Sequence, residues 1–506
     1  MTNVVQPAAL NRLVSLHLAS PKLGRQTSQR ICSGVSVSLE LNGINLISED
    51  ERHGKPSSLF WPWCAANVSF LAISYGAFFL GFGISIWQVV FTVTLGTIGS
   101  FALVGISSLA GKKSNAPTMT ISRAAFGVRG NVVPGILSYL TFVGWETVLV
   151  SLATLATQTV FTRLGHFSAN TSRILGFVVA AGLTIFCGVL GFQVIMRLQR
   201  WLTLATLILS AGYMALMFSK INWTAIHELP SGNLQALIGA TILGITGIGL
   251  GWVNSAADYS RYLPRESSSK GVVGWTIFGS SVVPIIMVIF GALLAGSSSN
   301  LNTRIASDPI GALTDSLPTW YLVPFVVVAV LGLVGGAILD LYSSGLTLVS
   351  LGLPVKRHIA AGIDGVIMTL GTIYFVWIAS NFFGAFQGFL ITLGVPLAAW
   401  SGIFVADVLM RKQPYSEPDL FESTGRYGSW NLKSISLLVV ATVVGWGFVT
   451  NTFAGWLSWQ GYFLGPIGGK NGAWAFTNIG VLFALTIGGF GYTVLARKDV
   501  RAQEQI

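Results

Sequence analysis

The stretch GATILGITGIGLGWVNSAADYSRYLP, residues 239–264, decides the fold because it is an apolar run of membrane-spanning length that is crowded with glycine. Five glycines fall within thirteen residues, and glycine is a poor helix former at each position. In lipid, irregular backbone is tolerated only where it is buried in protein or lines a cavity. The pattern predicts a helix break at 247–251 beside a binding cavity, with close helix packing through small residues as the alternative.

The composition of the whole chain agrees with a membrane setting. Of 506 residues, 52% are hydrophobic and only 9% are charged, against roughly 25% charged in soluble domains. This balance excludes a water-soluble, disordered or collagen-like chain. The three cysteines are scattered without metal-ligand spacing, so the sequence supports neither a disulfide framework nor a metal site.

Twelve stretches are apolar over about the 20 residues that a helix needs to cross a bilayer. The predicted spans, numbered 1 to 12, lie near 58–83, 87–110, 132–158, 174–191, 201–219, 235–258, 273–296, 321–349, 359–379, 381–406, 434–453 and 478–496.

The basic residues indicate which side of the membrane each loop occupies. With the N-terminus inside, 24 of the 29 Lys and Arg fall in inner segments, and only Arg163, Arg173, Lys220, Arg304 and Lys470 fall outside. Positive charge is retained on the cytoplasmic side, so this division predicts cytoplasmic termini in a cell membrane, plasma or inner. It also explains the net charge of +11 by topology and contact with the lipid bilayer, without a nucleic-acid partner.

The hydrophilic stretches divide the chain into five segments. They are a cytoplasmic tail at 1–57, a ten-span core at 58–406, a cytoplasmic loop at 407–433, two accessory helices at 434–496 and a C-terminal tail at 497–506. Two sets of five spans would enter the membrane from opposite sides, which is the inverted-repeat arrangement of many secondary transporters. On that arrangement span 1 is predicted to break at the place that corresponds to the span 6 break. Its apolar run is interrupted by Asn67, Ser69 and Ser74, and Pro62 lies near its inner end.

Charged residues inside spans are costly and are functional candidates by default. Only Glu146 in span 3 and Asp340 in span 8 lie well inside a span, and burial favours the neutral acid that a proton carrier needs. The alternative is a protonated acid that only hydrogen-bonds to a neighbouring helix. Trp145 is too deep for an interfacial belt, so its indole is a candidate stacking surface for a planar ligand, and Trp252 is a second.

Five motifs, taken together, resemble the nucleobase:cation symporter family 1, and most closely its purine–cytosine permease branch. They are VSLELNGINLISEDERHGKPSSLFWPWCAAN before and within span 1, APTMTISRAAFGVRGNVVP after span 2, VGWETV in span 3, GFQVIMRLQRW before span 5, and GWVNSAADYSRYLP at the end of span 6.

The resemblance implies an all-α polytopic membrane protein of twelve transmembrane helices, with a five-plus-five inverted-repeat (LeuT-like) core plus two extra helices. It implies symport of a planar heterocycle with a cation by alternating access. Substrate contacts carried over from the family are Ser69, Phe70 and Leu71 in span 1, Trp145 in span 3, Gly247, Gly249, Gly251 and Trp252 in span 6, and Gly336, Ala337 and Asp340 in span 8.

Two departures from the family pattern bear on substrate and cation. Span 8 lacks the asparagines that read the base, and Asp340 is the nearest polar group. The family's sodium site uses span 1 carbonyls, here at Ala66 and Ser69, and span 8 hydroxyls, but the matching residues are Gly332, Gly335 and Gly336. A hard cation needs several oxygen ligands, so the lost hydroxyls favour a proton, with Glu146 and Asp340 as the acids.

The sequence thus predicts a proton-coupled importer of a purine, cytosine or related planar nitrogen heterocycle. Importers of pyridoxine, thiamine-like rings or allantoin remain alternatives within the family. A membrane channel or a non-transporting sensor is the alternative from another class. An enzyme is not expected, because no buried histidine, nucleophile with its base or ligand cluster is found, and no cofactor is expected either.

Overall fold

The computed structural model describes residues 30–31, 35–36, 44, 46–165, 167–190, 192–378, 382–451 and 455–505. The chain divides into two compact units, Met1–Leu39 and Glu40–Ile506. In the first unit, the described residues form two short antiparallel strands, Arg30–Ile31 and Val35–Ser36. The second unit is helical and carries every predicted span.

Each predicted span coincides with an apolar helix or helix pair. They are Phe60–Asn67 with Phe70–Leu80 (span 1), Ile86–Lys113 (span 2), Val132–Arg163 (span 3), Ala169–Leu190 (span 4), Phe192–Phe218 (span 5), Leu234–Ser260 (span 6), Ser269–Gly296 (span 7), Leu322–Ser350 (span 8), Arg357–Ile373 (span 9), Phe382–Met410 (span 10), Leu432–Gly447 (span 11) and Gly480–Leu495 (span 12).

Shorter elements connect or extend the spans. The short α-helices are Thr118–Ile121, Arg123–Phe126, Trp223–His227, Ser299–Ser307 and Arg497–Gln505. Span 9 ends in a π-helical turn at Tyr374–Ile378. The 3-10 turns outside the spans are Glu49–Glu51, Pro56–Leu59, Gly311–Thr314, Thr319–Tyr321, Pro418–Leu420, Gly455–Leu457, Gly465–Ile467 and Ala475–Thr477.

The number of apolar helices is consistent with the twelve predicted spans without establishing that number. In the described part of the chain, nine helices are long and apolar enough to cross a membrane, and up to eleven if each bent helix pair counts as one span. Leu432–Gly447 is a shorter apolar helix of 16 residues. The chain is therefore an all-helical, polytopic membrane protein, and the expected twelve spans are consistent with it.

Apolar side chains on the outside of the bundle mark the surface that faces lipid. Trp87, Phe186, Ile208 and Phe490 are each more than 60% exposed, which water would penalise and lipid would not. Spans 8 and 10 are central, with 72% of their most apolar window buried, whereas span 5 has 28% buried and is peripheral. The core therefore surrounds span 8.

Span 1 is broken at Val68 and Ser69, as predicted, and its two helices meet at a bend of 65°. Ser69 is extended (φ −147°, ψ 147°), and its hydroxyl accepts the backbone N–H of Leu71 at 3.2 Å, which caps the second helix. The Asn67 side chain donates to the Trp63 carbonyl at 2.8 Å at the end of the first helix. Local side chains therefore satisfy backbone groups on both sides of the break.

Span 6 differs from its prediction, because the expected break is a change of winding. The helix Leu234–Gly244 continues as a π-helical turn, Ile245–Gly249, then a 3-10 helix, Leu250–Ser255, and a last α-helical turn, Ala256–Ser260. The glycines keep negative φ values, so the chain stays wound throughout. The Tyr75 hydroxyl donates to the Gly247 carbonyl at 2.9 Å, which satisfies one group in the irregular stretch.

Spans five apart in sequence pack against each other. Span 2 lies along span 7, and span 3 lies along span 8. The second half of span 1 touches span 7 at Gly76 and Gly291, where a β-carbon on Gly291 would overlap the Ile73 carbonyl. Spans 11 and 12 pack on span 10. This arrangement places the span 1 break, span 3, span 6 and span 8 around one central space.

Residues 46–52 bind one end of the bundle, which we call the tail face. Arg52 donates to the carbonyls of Leu263 (2.8 Å) and Lys112 (2.9 Å). Arg265 bridges Glu49 at 2.9 Å and Glu417 at 2.7 Å. These contacts, the tail clasp, tie the N-terminal segment to the ends of spans 2 and 6 and to the loop after span 10.

The loop after span 10 is held by a buried ion pair. Arg411 binds the carboxylate of Asp407 at 2.8 Å, and the hydroxyls of Tyr415 and Tyr492 donate to the same carboxylate. Arg411 also donates to the side chain of Gln503 in the helix Arg497–Gln505. Span 10 extends to Met410, so the predicted loop begins later than residue 407.

Candidate functional site

A cavity of about 620 Å³ of empty space lies at the span 1 break. Spans 1, 3, 6, 7 and 8 all contribute to its wall. The lining residues are Ala66, Asn67, Ser69, Leu71, Ala72, Tyr75, Trp145, Leu149, Gly247, Ile248, Gly251, Trp252, Pro284 and Asp340. Most of them are apolar, with few polar groups, which is the usual make-up of a small-molecule site.

Trp145 forms the aromatic wall of this cavity. Its indole N–H edge faces Gly251, where an added β-carbon would lie 3.0 Å from Nε1, so span 6 approaches closely because that residue is glycine. The rings of Phe386 and Phe389 cross the indole at 75° and 82°, and neither stacks parallel on it. Trp252 in span 6 lines the same cavity. An indole in this setting can stack on a flat ligand.

Four polar side chains line the cavity and differ in their availability, and that of Asn67 is already bound to the Trp63 carbonyl. The Tyr75 hydroxyl is committed to the Gly247 carbonyl, and the Ser69 hydroxyl accepts a backbone N–H. Asp340 is 3% exposed, and its Oδ2 has no hydrogen-bond partner among the described residues. A buried, unpaired carboxyl oxygen is costly, so Asp340 is the group best placed to bind a ligand's polar edge.

The structure places seven of the residues carried over from the family on the cavity wall: Ser69, Leu71, Trp145, Gly247, Gly251, Trp252 and Asp340. Four others lie elsewhere. The Phe70 ring packs against Tyr213 and Phe325, with centroids 5.0 and 4.5 Å away, because it follows the extended Ser69 and turns to the far side.

Gly249, Gly336 and Ala337 are the other three that do not line the cavity. A β-carbon on Gly249 would meet the Ser100 side chain in span 2, so this glycine serves helix packing. Gly336 faces Leu149 at 3.1 Å from a built β-carbon, and Ala337 is fully buried. Leu149 thus covers the part of span 8 where the family's asparagines would read a base.

Sequence reasoning missed five of the lining residues, which are Ala72, Tyr75, Leu149, Ile248 and Pro284. Tyr75 is the one polar side chain among them, and its place within the apolar run of span 1 was a usable signal. Pro284 lies inside span 7, where a proline removes a helical hydrogen bond. Nothing in the sequence distinguishes Leu149 from other leucines of span 3.

The span 8 glycines that the resemblance matches to a sodium site are closely packed by neighbouring spans. A β-carbon on Gly332 would approach the Val68 carbonyl to 2.7 Å, so span 8 lies directly on the span 1 break. Near Gly335 the side chain of Gln199 in span 5 donates to the Gly335 carbonyl at 2.7 Å. The three glycines supply no hydroxyl, and an amide donor stands beside the position where a cation would need oxygen ligands.

Glu146 does not face the cavity, although it follows Trp145. Successive residues of an α-helix are about 100° apart, and Glu146 is turned toward spans 8 and 9. It is fully buried, and its nearest polar neighbours are Asp364 in span 9 and Ser344 in span 8. Asp364 lies seven residues after the start of the span 9 helix Arg357–Ile373 and is fully buried.

A second cavity, the vestibule, lies on the other side of the Tyr75–Gly247 hydrogen bond. It contains about 1990 Å³ of empty space and is lined by Phe78, Phe82, Gly239, Thr246 and Gln387, among others. Its wall includes the loops before spans 6 and 12, at the end of the bundle opposite the tail clasp. The hydrogen bond between spans 1 and 6 therefore separates the vestibule from the central cavity.

The amino-acid sequence matches a known protein family over most of its length. The profile of a family described as permeases for cytosine/purines, uracil, thiamine and allantoin matches residues 46–465. The chain belongs to this family. The predicted membership of the nucleobase:cation symporter family 1 is thereby confirmed, and the chain is a membrane permease of a family of transporters.

Curated members of the family align over much of the chain. YxlA of Bacillus subtilis (strain 168), named as a purine-cytosine permease, is 24% identical over 82% of this chain and 90% of its own. The purine-cytosine permease FCY21 of Saccharomyces cerevisiae is 26% identical over 56% of this chain and 54% of its own. The allantoin permease of Bacillus subtilis is 21% identical over 73% and 78%.

Solved structures share the fold of this permease. Mhp1, a nucleobase-cation-symport-1 family transporter in a closed conformation with bromovinylhydantoin bound, matches with a TM-score of 0.67, over 92% of this chain and 100% of its own, at 18% identity. A Na⁺-coupled sialic acid symporter in an outward-open state matches with a TM-score of 0.58, over 90% and 92%, at 12% identity. The predicted LeuT-like fold is confirmed.

Proposed function

We propose that this permease imports a purine, cytosine or related planar nitrogen heterocycle together with a proton, by alternating access. The observation that carries the proposal is the central cavity, in which the Trp145 indole faces the span 1 break. A flat slot of this kind favours a planar ring over a flexible or bulky solute. The proposal also places the chain in a cell membrane with both termini in the cytoplasm, so that the vestibule faces outward.

The choice of heterocycle rests on Asp340. An ionised carboxyl accepts two or more hydrogen bonds, and a protonated one also donates. A ring edge that presents an amino donor beside an unprotonated ring nitrogen, as in cytosine and adenine, suits a protonated Asp340, which can accept from the amino group and donate to the ring nitrogen. Relatives named for purine and cytosine transport support this class, while the allantoin permease keeps allantoin as an alternative within the family.

The proton is favoured over sodium by the contacts between spans 1 and 8. The family-matched span 8 positions are glycines, and Gln199 donates an N–H into the same region. A sodium ion there would have backbone carbonyls and would meet an N–H donor, whereas sodium requires several oxygen ligands. The cell therefore supplies the driving force as a pH gradient under this proposal.

The test is uptake of radiolabelled cytosine, adenine and allantoin by cells that express the chain and lack their own carriers for these compounds. Uptake of at least one nucleobase is expected to persist when choline replaces sodium and to collapse when a protonophore is added. Cells with the empty vector are the control. Uptake that needs sodium and survives the protonophore contradicts the coupling, and uptake of allantoin alone contradicts the nucleobase assignment.

A further inference from the structure

Three buried acids from three spans approach one another next to the central cavity. Glu146 is in span 3, Asp340 in span 8 and Asp364 in span 9, and all three are at most 3% exposed. In the described residues, no lysine or arginine is among the groups that act on Asp340 or Asp364. Acids without basic partners cannot be explained as ion pairs.

Glu146 and Asp364 differ in the hydrogen bonds that their carboxyl groups accept. Asp364 accepts the Tyr139 hydroxyl at 3.0 Å on Oδ1 and the Ser344 hydroxyl on Oδ2. Neither oxygen of Glu146 has a hydrogen-bond donor in the described part of the chain, although the Asp364 carboxyl is within reach. Two carboxylates facing each other out of water repel, and they hydrogen-bond only if one carries a proton.

We propose that Glu146 and Asp364 form a proton-binding site that is separate from the substrate cavity and takes up the proton carried in symport. In the proton-bound form, Glu146 is the acid and donates its O–H to the Asp364 carboxylate. Asp364 then accepts three hydrogens, and the pair has one negative charge. Release of the proton leaves two negative charges in contact, which strains this arrangement and favours rearrangement of spans 3, 8 and 9. The inference rests on the proposed proton symport.

Two residues link this pair to the cavity and to the tail face. Asp340 lines the cavity, and Ser344 lies one helical turn later on the same face of span 8, in contact with Asp364. Tyr139 lies two turns before Glu146, toward the end of span 3 at the tail face. Ser344 therefore lies between the cavity and the pair, and Tyr139 lies between the pair and the tail face.

Other titratable groups around the pair are few and are bound elsewhere. Among the described residues of spans 3, 8 and 9, the other titratable groups that interact with Glu146 or Asp364 are Tyr139 and Asp340. Span 4 packs against spans 3 and 9 and contributes the buried Cys187, while its Arg173 binds Gln158. Span 10 packs on span 3, and its Asp407 is paired with Arg411. A pH response of the buried region is thus assigned to Glu146, Asp364 and Asp340.

Infrared difference spectroscopy of the purified full chain tests the site without a substrate. The wild-type protein is expected to show a carboxylic-acid C=O band that disappears as the pH is raised. Glu146→Gln should abolish that band, and Asp364→Asn should shift it, because the acid loses its carboxylate acceptor. Glu422→Gln, at an exposed glutamate of the loop after span 10, should leave the band unchanged. The proposal is overturned if Glu146→Gln and Asp364→Asn both show the same titrating band as the wild-type protein.

Transport in proteoliposomes with radiolabelled cytosine and adenine gives the functional readout. With an imposed gradient of one pH unit, wild type and Glu422→Gln should accumulate the transported base by up to about tenfold, because one pH unit corresponds to a tenfold ratio for one proton per base. Glu146→Gln and Asp364→Asn should exchange base across the membrane without accumulating it. Full accumulation by both variants overturns the proposal. Failure of wild type to transport either base contradicts the proposed function instead, and the infrared result still decides the site.

Discussion

Trp145 and Glu146 are adjacent in sequence and face different parts of the molecule. The indole lines the central cavity, while the carboxyl is turned toward Asp364. One step of helix separates the surface for the substrate from the proposed site for the proton. A movement of span 3 would therefore alter both sites together, which is what coupling of two ligands requires.

Replacing Trp145 with alanine is expected to abolish uptake of the true substrate while leaving the protein folded. The indole is partly exposed to the cavity, so its loss removes the stacking surface without removing a fully buried core residue. Aromatic pairs contribute about 0.5–1.5 kcal/mol beyond area burial, and the lost contact area adds to this. Uptake and substrate-dependent thermal stabilisation of the purified protein measure the effect.

The matched control for this substitution is Trp87→Ala. Trp87 is 77% exposed on the outside of the bundle and touches no cavity. The Trp87→Ala variant should transport substrate as the wild-type protein does. Undiminished uptake by the Trp145 variant would remove the stacking role and with it the main support for a planar substrate.

Residue-level prediction from sequence succeeded where the side chain's own chemistry carried the signal. A deep tryptophan and a buried acid are unusual enough to mark the cavity, and Trp145 and Asp340 line it. Phe70 does not line the cavity as predicted, because the direction of its ring depends on the φ and ψ of the extended Ser69. Leu149 and Gln199 owe their positions to spans that are distant in sequence, which one sequence without its fold does not reveal.

Spans 1 and 6 show why one predicted break formed and the other did not. The polar Asn67 and Ser69 satisfy backbone groups at an interruption, so span 1 can open in an apolar environment. The glycines of span 6 provide no such capping group. Their flexibility is used instead for π and 3-10 winding and for close approach of Trp145 and Ser100.

A single methyl group at Gly291 is expected to destabilise the contact between spans 1 and 7. Its β-carbon would overlap the backbone carbonyl of Ile73, and backbone cannot move aside as a flexible side chain can. Overpacking of this kind costs about 1–3 kcal/mol, so Gly291→Ala should lower the melting temperature of the purified protein.

Gly274→Ala in the same helix is the control for Gly291→Ala. Nothing lies within 4 Å of a β-carbon built on Gly274, so this variant should melt as wild type does or slightly higher. Equal melting temperatures for the two variants would show that spans 1 and 7 are not in close backbone contact.

The two ends of the molecule are closed to different extents. The vestibule is wide and reaches the Tyr75–Gly247 hydrogen bond, whereas the tail face is covered by residues 46–52 and the tail clasp. The charge pattern of the sequence indicated two sides of the membrane. It could not indicate the clasp, because Glu49 and Arg265 meet only when the chain is folded.

Arg265→Ala is expected to open the tail face. The side chain of Arg265 is 34% exposed and binds two glutamates. Partly exposed pairs contribute at most about 1 kcal/mol each, so losing both should shift the populations by roughly thirtyfold at most. With Cys32, Cys64 and Cys187 replaced by serine, a cysteine at the cavity residue Ala66 should react faster with a maleimide added from the tail side.

Lys433→Ala is the control for Arg265→Ala, since Lys433 pairs with Asp499 outside the clasp. Unchanged labelling in the Arg265 variant would contradict the role of the clasp. The Arg265 and Asn115 hydrogen bonds lower the pKa of Glu49, so the clasp is intact at neutral pH and weakens only as the pH falls through that lowered value. A transport response to pH near neutrality therefore does not originate there.

The buried Asp407–Arg411 pair has a consequence for how the polypeptide is made. Arg411 takes one of its hydrogen-bond acceptors from Gln503, and Glu504 accepts the backbone N–H groups of Lys412 and Gln413. Those partners leave the ribosome some ninety residues after the segment they complete. Until the helix Arg497–Gln505 has been synthesised, Arg411 therefore lacks one of its hydrogen-bond acceptors.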